Sequence, residues 1–131
     1  MIKFNNFKDG EILKTVLNES LKADGVCYEA SYQYFNRNYK DGMKLVHGLV
    51  DGQGPLEGIR YNHAWIEFNG VVIDMTLPPK VQKSLPVVLY RSIGNISKKE
   101  TFEYSQMEVF EKVQEYKTYG PWEKILLKNK Y

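Results

Sequence analysis

The sequence predicts a single α+β domain over residues 1–131, a sheet packed against helices. Three observations lead there. Asn69-Gly70 sits between two runs of alternating apolar and polar residues, the strongest short signal for a β-hairpin. Apolar residues recur at helical spacing on both sides of that hairpin. The chain has 131 residues, 43% hydrophobic and 26% charged, which suits one globular domain with an ordinary core.

Taken in order, Asp9 to Ala23 reads as a helix. Ile12, Leu13, Val16, Leu17 and Leu21 share one face, Asp9 is placed to cap the start, and Gly25 supplies a stop. A second helix is predicted from Val26 to about Tyr39. On it Cys27, Ala30, Ser31 and Tyr34 form one stripe; Tyr28, Tyr32, Phe35 and Tyr39 form another. The aromatic stripe suits core packing or one wall of a substrate groove. Asp41-Gly42 turns the chain into a strand from Met43 to Val50. Asp51 to Arg60 carries Gly52, Gly54, Pro55 and Gly58, and reads as a mobile loop beside the next strand.

The hairpin from Tyr61 to Thr76 organises the rest. Folded on Asn69-Gly70, it sets Phe68 opposite Val71, Glu67 opposite Val72, Ile66 opposite Ile73, and Trp65 opposite Asp74. Strand side chains alternate faces. One face then carries Ala64, Ile66, Phe68, Val71, Ile73 and Met75, and belongs on the core. The other carries His63, Trp65, Glu67, Val72, Asp74 and Thr76, the more polar set. His63 and Asp74 become diagonal neighbours, about 7–8 Å apart at the backbone, within reach of a side-chain hydrogen bond. Beyond the hairpin, Leu77-Pro78-Pro79 breaks the pattern and Pro86 to Ile93 reads as β-rich. Gly94-Asn95 turns, and Thr101 to Tyr104 reads as a short strand. Ser105-Gln106-Met107-Glu108 has capping-box spacing and opens a helix to about Lys117, which Gly120-Pro121 ends; Ser97-Lys98-Lys99-Glu100 has the same spacing and offers an earlier start. Trp122 to Tyr131 is too short to assign.

Several function classes are disfavoured. A net charge of +2 is too small to argue for nucleic acid or an anionic membrane. The start of the chain shows no apolar signal region, and no run approaches a membrane span. One cysteine forbids an internal disulfide and suits a reducing, cytoplasmic setting. No Cys or His pair has zinc spacing; His47 and His63 lie on separate segments, and neither a metal nor another cofactor is implied.

A histidine beside a carboxylate needs a nucleophile, and the candidate is Cys27. Thiol catalysis requires a thiolate, a base to make it, and a group to hold the base. Gly25-Val26-Cys27 puts the thiol at a helix start, where backbone N–H groups and the helix dipole favour an anion. His63 would take the proton and Asp74 would fix its tautomer. The Cys27 N–H would meet the oxyanion with a second donor; Gln33 is two turns away, and Asn62 is adjacent to His63. Each residue also has an ordinary explanation. Single cysteines are often small buried hydrophobes, strand histidines are often structural, and aspartates near strand ends often cap turns.

Gly25-Val26-Cys27, His63-Ala64-Trp65-Ile66-Glu67 and Val72-Ile73-Asp74-Met75-Thr76, in that order, resemble the transglutaminase-like core of the papain-like cysteine superfamily. Val46-His47-Gly48 falls where that family often ends a strand in glycine. The likeness covers roughly residues 24–76. It implies an antiparallel sheet packed on the cysteine helix, with Cys27 as nucleophile, His63 as base and Asp74 as orienter. It implies acyl transfer through a thioester on a peptide, isopeptide or side-chain amide. Trp65, Tyr28 and Asn62 are then the candidate substrate contacts. The family's upstream oxyanion donor has no matching Gln or Trp here. The small chain, without a calcium-site pattern, argues against an animal-type transglutaminase and fits a bacterial or bacteriophage protein acting as a monomer or weak oligomer. Three functions follow: a thiol hydrolase or acyltransferase, an inactive domain of the same fold that binds a peptide or protein, or a structural protein in which Cys27 merely packs.

Overall fold

The computed structural model of the chain describes residues 26–53 and 56–128. The helix expected over Asp9–Ala23 and the stop at Gly25 lie outside them. Helix α1 (Val26–Asn38) leads into β1 (Lys44–Asp51), β2 (Arg60–Phe68) and β3 (Val71–Ile73). Then come β4 (Leu85–Pro86), α2 (Val87–Ile93), a 3-10 turn at Lys98–Glu100, β5 (Thr101–Tyr104), α3 (Gln106–Tyr116) and α4 (Lys124–Leu127). The strands make one five-stranded antiparallel sheet in the order β4-β3-β2-β1-β5. The class is therefore α+β. No helix among the described residues is long and apolar enough to cross a membrane.

The hairpin register is the one its turn demands. Asn69 and Gly70 both have positive φ, 52° and 76°, and the pairs are Ile66↔Ile73, Glu67↔Val72 and Phe68↔Val71. Helix α1 lies on the predicted core face. Its Cys27 and Tyr28 pack on Ala64, its Ser31 hydroxyl donates to the Ala64 carbonyl (3.1 Å), and Phe35 joins Leu45, Ile66 and Ile73. The aromatic stripe of α1 thus divides: Phe35 is core, while Tyr32 and Tyr39 are only partly buried against it.

The opposite face of the hairpin departs from expectation. It is a second core, in which Trp65 and Val72 pack with Val46, Val50, Tyr61, Leu77 and Leu85. The segment after β3 and helix α2 cover it, and the charge that made it look polar is neutralised in place. Arg91 of α2 grips Glu67 with two bonds of 2.9 Å, and Glu67 accepts from the Trp65 indole (2.9 Å). Gly48 leaves room for that indole: a Cβ there would stand 3.0 Å from Trp65 Cη2.

The β-rich run at Pro86–Ile93 is likewise corrected. Only Leu85–Pro86 pairs with β3, and Val87–Ile93 is helical. Its β-branched residues suggest strand, but burial has the helical period: Val87 and Tyr90 pack on the core while Val88 is 83% exposed. The loop after β1 is anchored midway, since Leu56 is buried in the second core and the Gly52 N–H bonds the Ile59 carbonyl (2.7 Å). The capping box at Ser105 forms in both directions, and β5 lies at Thr101–Tyr104 as predicted. The unassigned tail supplies two buried anchors, Trp122 and Leu126.

Candidate active site

Cys27 is the second residue of α1, His63 lies in β2, and Asp74 follows β3 directly. All three are nearly closed to solvent, at 7%, 1% and 1% exposure. β3 stops pairing with β2 at Ile66, so the chain leaves the sheet just where Asp74 must swing beside His63. The His63 Nε2–H donates to Asp74 Oδ2 at 2.9 Å. The carboxylate has three further donors. The Thr76 backbone N–H and hydroxyl reach Oδ1 at 3.0 and 2.7 Å, and the Tyr90 hydroxyl reaches Oδ2 at 2.8 Å. A carboxylate offers about four acceptor sites, so this one is saturated.

Cys27, in α1, is among the groups whose charge acts on the imidazole. Nδ1, the ring nitrogen left over by Asp74, is buried and has no hydrogen-bond partner among the described residues. Burial alone would lower the His63 pKa; the Asp74 carboxylate and then Cys27 outweigh it and hold the imidazole at about 10. Burial would likewise raise the Asp74 pKa. The charge of His63, its hydrogen bond and those of Thr76 hold it below the usual carboxylate value instead. Each partner of the pair thus favours the charged form of the other.

The three expected substrate contacts take different places. Trp65 has no exposed surface; it stacks beside His63 at 6.1 Å and 26° and touches Tyr90, so it braces the site from behind. The second core encloses it. Tyr28 is 4% exposed and its hydroxyl donates to Asn62 Oδ1. Asn62 in turn donates from Nδ2 to the Leu126 carbonyl (3.0 Å), which ties the start of α1 to the C-terminal segment.

Two spaces flank the triad. A cavity of about 40 Å³ lies behind it, lined by Tyr61, His63, Asp74, Tyr90 and, from the end of β1 and the loop after it, Asp51 and Gln53. It is too small for an organic substrate. On the Cys27 side, an open groove of about 590 Å³ runs past Val26, Tyr28 and Glu29 to Tyr119 and Gly120.

Sequence reasoning missed two residues of the site. Thr76 carried a usable signal, since Asp-x-Thr lets the carboxylate bond its own chain two residues on. Tyr90 carried none, being 16 residues from Asp74 on a segment with strand-like composition. His47, the other histidine, lies on the α1 face of the sheet inside a cage of Tyr28, Tyr104 and Trp122, with both ring nitrogens unpartnered. Comparisons with protein-family models, with curated proteins and with solved structures return no match to this chain.

Proposed function

We propose that the chain is a thiol-dependent hydrolase or acyltransferase that acts on an amide bond, with a papain-like, transglutaminase-like fold. The observation that carries this reading is a buried imidazole held by a saturated carboxylate, in a chain whose Cys27 thiol on α1 also acts on that imidazole by charge. In the reaction the Cys27 thiolate adds to the amide carbonyl, and its electron pair moves onto the oxygen. The Cys27 N–H, in the first turn of α1, is placed to donate to that oxyanion. The intermediate collapses as His63 gives its proton to the departing amine, which leaves a Cys27 thioester. Water or an acceptor amine then attacks, His63 takes its proton, and the thiolate leaves. A reducing cytoplasm, bacterial or that of a host cell, suits a protein whose lone thiol must stay free.

The burial of Cys27 and His63 favours a second reading: an inactive domain of the same fold whose groove binds a peptide or protein partner. One experiment separates the two. Native protein incubated at pH 6 with iodoacetamide should alkylate at Cys27, where an ordinary thiol is almost wholly protonated, and His63→Ala should slow this. With p-nitrophenyl acetate, the enzyme should form an acetyl thioester on Cys27 and release acetate repeatedly. Labelling without turnover favours the binding domain. A protein inert at pH 6 until denatured leaves Cys27 a packing residue and ends the catalytic reading.

A further inference from the structure

We propose that Tyr90 is a positioning residue of this site, whose hydroxyl shares Asp74 Oδ2 with His63 and so sets how strongly the carboxylate holds the imidazole. The inference rests on the reading of Cys27, His63 and Asp74 as a working triad.

Both donors meet one oxygen: His63 Nε2 at 2.9 Å and the Tyr90 hydroxyl at 2.8 Å. Oδ1 is already occupied twice by Thr76. The oxygen that orients the base is therefore the one whose basicity Tyr90 divides. A donor on a carboxylate spreads its charge, and the neighbouring imidazolium is held less tightly than it would be alone. Burial, and then the adjacent carboxylate, push the Tyr90 phenol well above its usual value, so it remains a donor at any ordinary pH. The Tyr90 ring also packs on Trp65 (5.3 Å), which stacks on His63, so the hydroxyl and the ring act on the same histidine from two sides.

Among the described residues, the other ionisable groups that act on or touch His63 are Cys27 from α1, His47 from β1 and Tyr61 from β2. None of them touches Asp74 Oδ2, so a change at the Tyr90 hydroxyl reports on the shared oxygen.

The test is an NMR titration of the His63 ring in the whole chain, together with the low-field resonance of its Nε2–H. Tyr90→Phe keeps the ring and removes the donor. It should raise the His63 pKa by at least about half a unit and move the Nε2–H signal further downfield. Tyrosine replaced at position 90 by 3-fluorotyrosine, which has the same shape and a stronger donor, should shift both in the opposite sense. This variant keeps the test alive if Tyr90→Phe does not fold. A folded variant with an unchanged His63 pKa and resonance, or two variants shifting in the same direction, overturns the proposal. The readouts need no turnover: shifts without acetyl turnover would sink the enzyme reading and leave the Tyr90 coupling standing, whereas turnover without shifts would do the reverse.

Discussion

The two histidines of this chain sit on neighbouring strands, both buried, and their environments push them in opposite directions. His63 faces a carboxylate with four donors and is held at about 10. His47 is enclosed by Tyr28, Tyr104 and Trp122; burial, and then the charge of His63, lower it to about 3. A Cβ on Gly120 would stand 2.6 Å from His47 Cε1, so the chain closes on that ring as tightly as packing allows. Burial is common to both residues and therefore does not decide protonation. The partner decides it: one ring is favoured as a cation beside a counter-charge, the other as a neutral aromatic that happens to carry nitrogen.

The largest effect should come from removing the counter-charge. Asp74→Asn should cut any acyl-transfer rate by up to about 10⁴-fold, the scale seen when an orienting aspartate is lost from a serine triad. It should also slow pH 6 alkylation of Cys27. The alternating pattern placed Asp74 on a polar face, where this change would spare the fold. Its 1% exposure and four donors say otherwise. An amide turns an N–H toward groups that also donate, and the melt should show a loss of about 1–3 kcal/mol. A variant as stable as the parent with unchanged labelling would make Asp74 irrelevant to His63.

The next effect is the pH dependence of stability, where the two rings should act in separate windows. The folded pKa of His63 is raised above 6.5, so its contribution is full below 6.5 and is lost as pH climbs toward about 10. The folded pKa of His47 is lowered from 6.5 to about 3, so the unfolded chain binds a proton there that the folded chain refuses. Stability falls as pH drops through that window. Asp74, also lowered, adds to the acid loss below about 3.8. Denaturant melts of His47→Phe should therefore lose part of the acid slope and be unaffected near pH 9. His63→Gln should flatten the alkaline limb instead. Each slope is worth on the order of a few kcal/mol. Identical profiles for the two variants would erase the distinction between the rings.

Ile73→Ala sharpens the comparison from the α1 side. Ile73 is buried opposite Ile66, one residue from Asp74, and carries no charge. The change should cost about 2–5 kcal/mol by creating a cavity, while the folded fraction keeps its alkylation rate at pH 6. The smallest effect is expected at Ser105→Ala, which removes the α3 cap for about 1 kcal/mol and leaves both histidine windows where they were.

By itself the sequence determined what is local. The hairpin register was legible because Asn69-Gly70 admits one turn and the two-residue period then fixes the three pairs next to it; the expected Trp65–Asp74 pair does not form, because the strand ends at Ile73 and Asp74 turns to His63. The capping box at Ser105 and the start of α1 were legible for the same reason, since each signal lies within a few residues. Those signals were enough to bring His63 and Asp74 side by side and to put Cys27 in the first turn of a helix. What only the tertiary structure decided is what covers each surface. The polar face of the hairpin became a second core because Arg91, from a segment 24 residues beyond Glu67, arrived to neutralise it. Strand-like Val87–Ile93 became a helix because only a helical period puts Val87 and Tyr90 on that core together. Tyr90 reached Asp74, and Trp122 closed on His47, through contacts between distant parts of the chain. Such contacts leave no periodicity in the residues that make them.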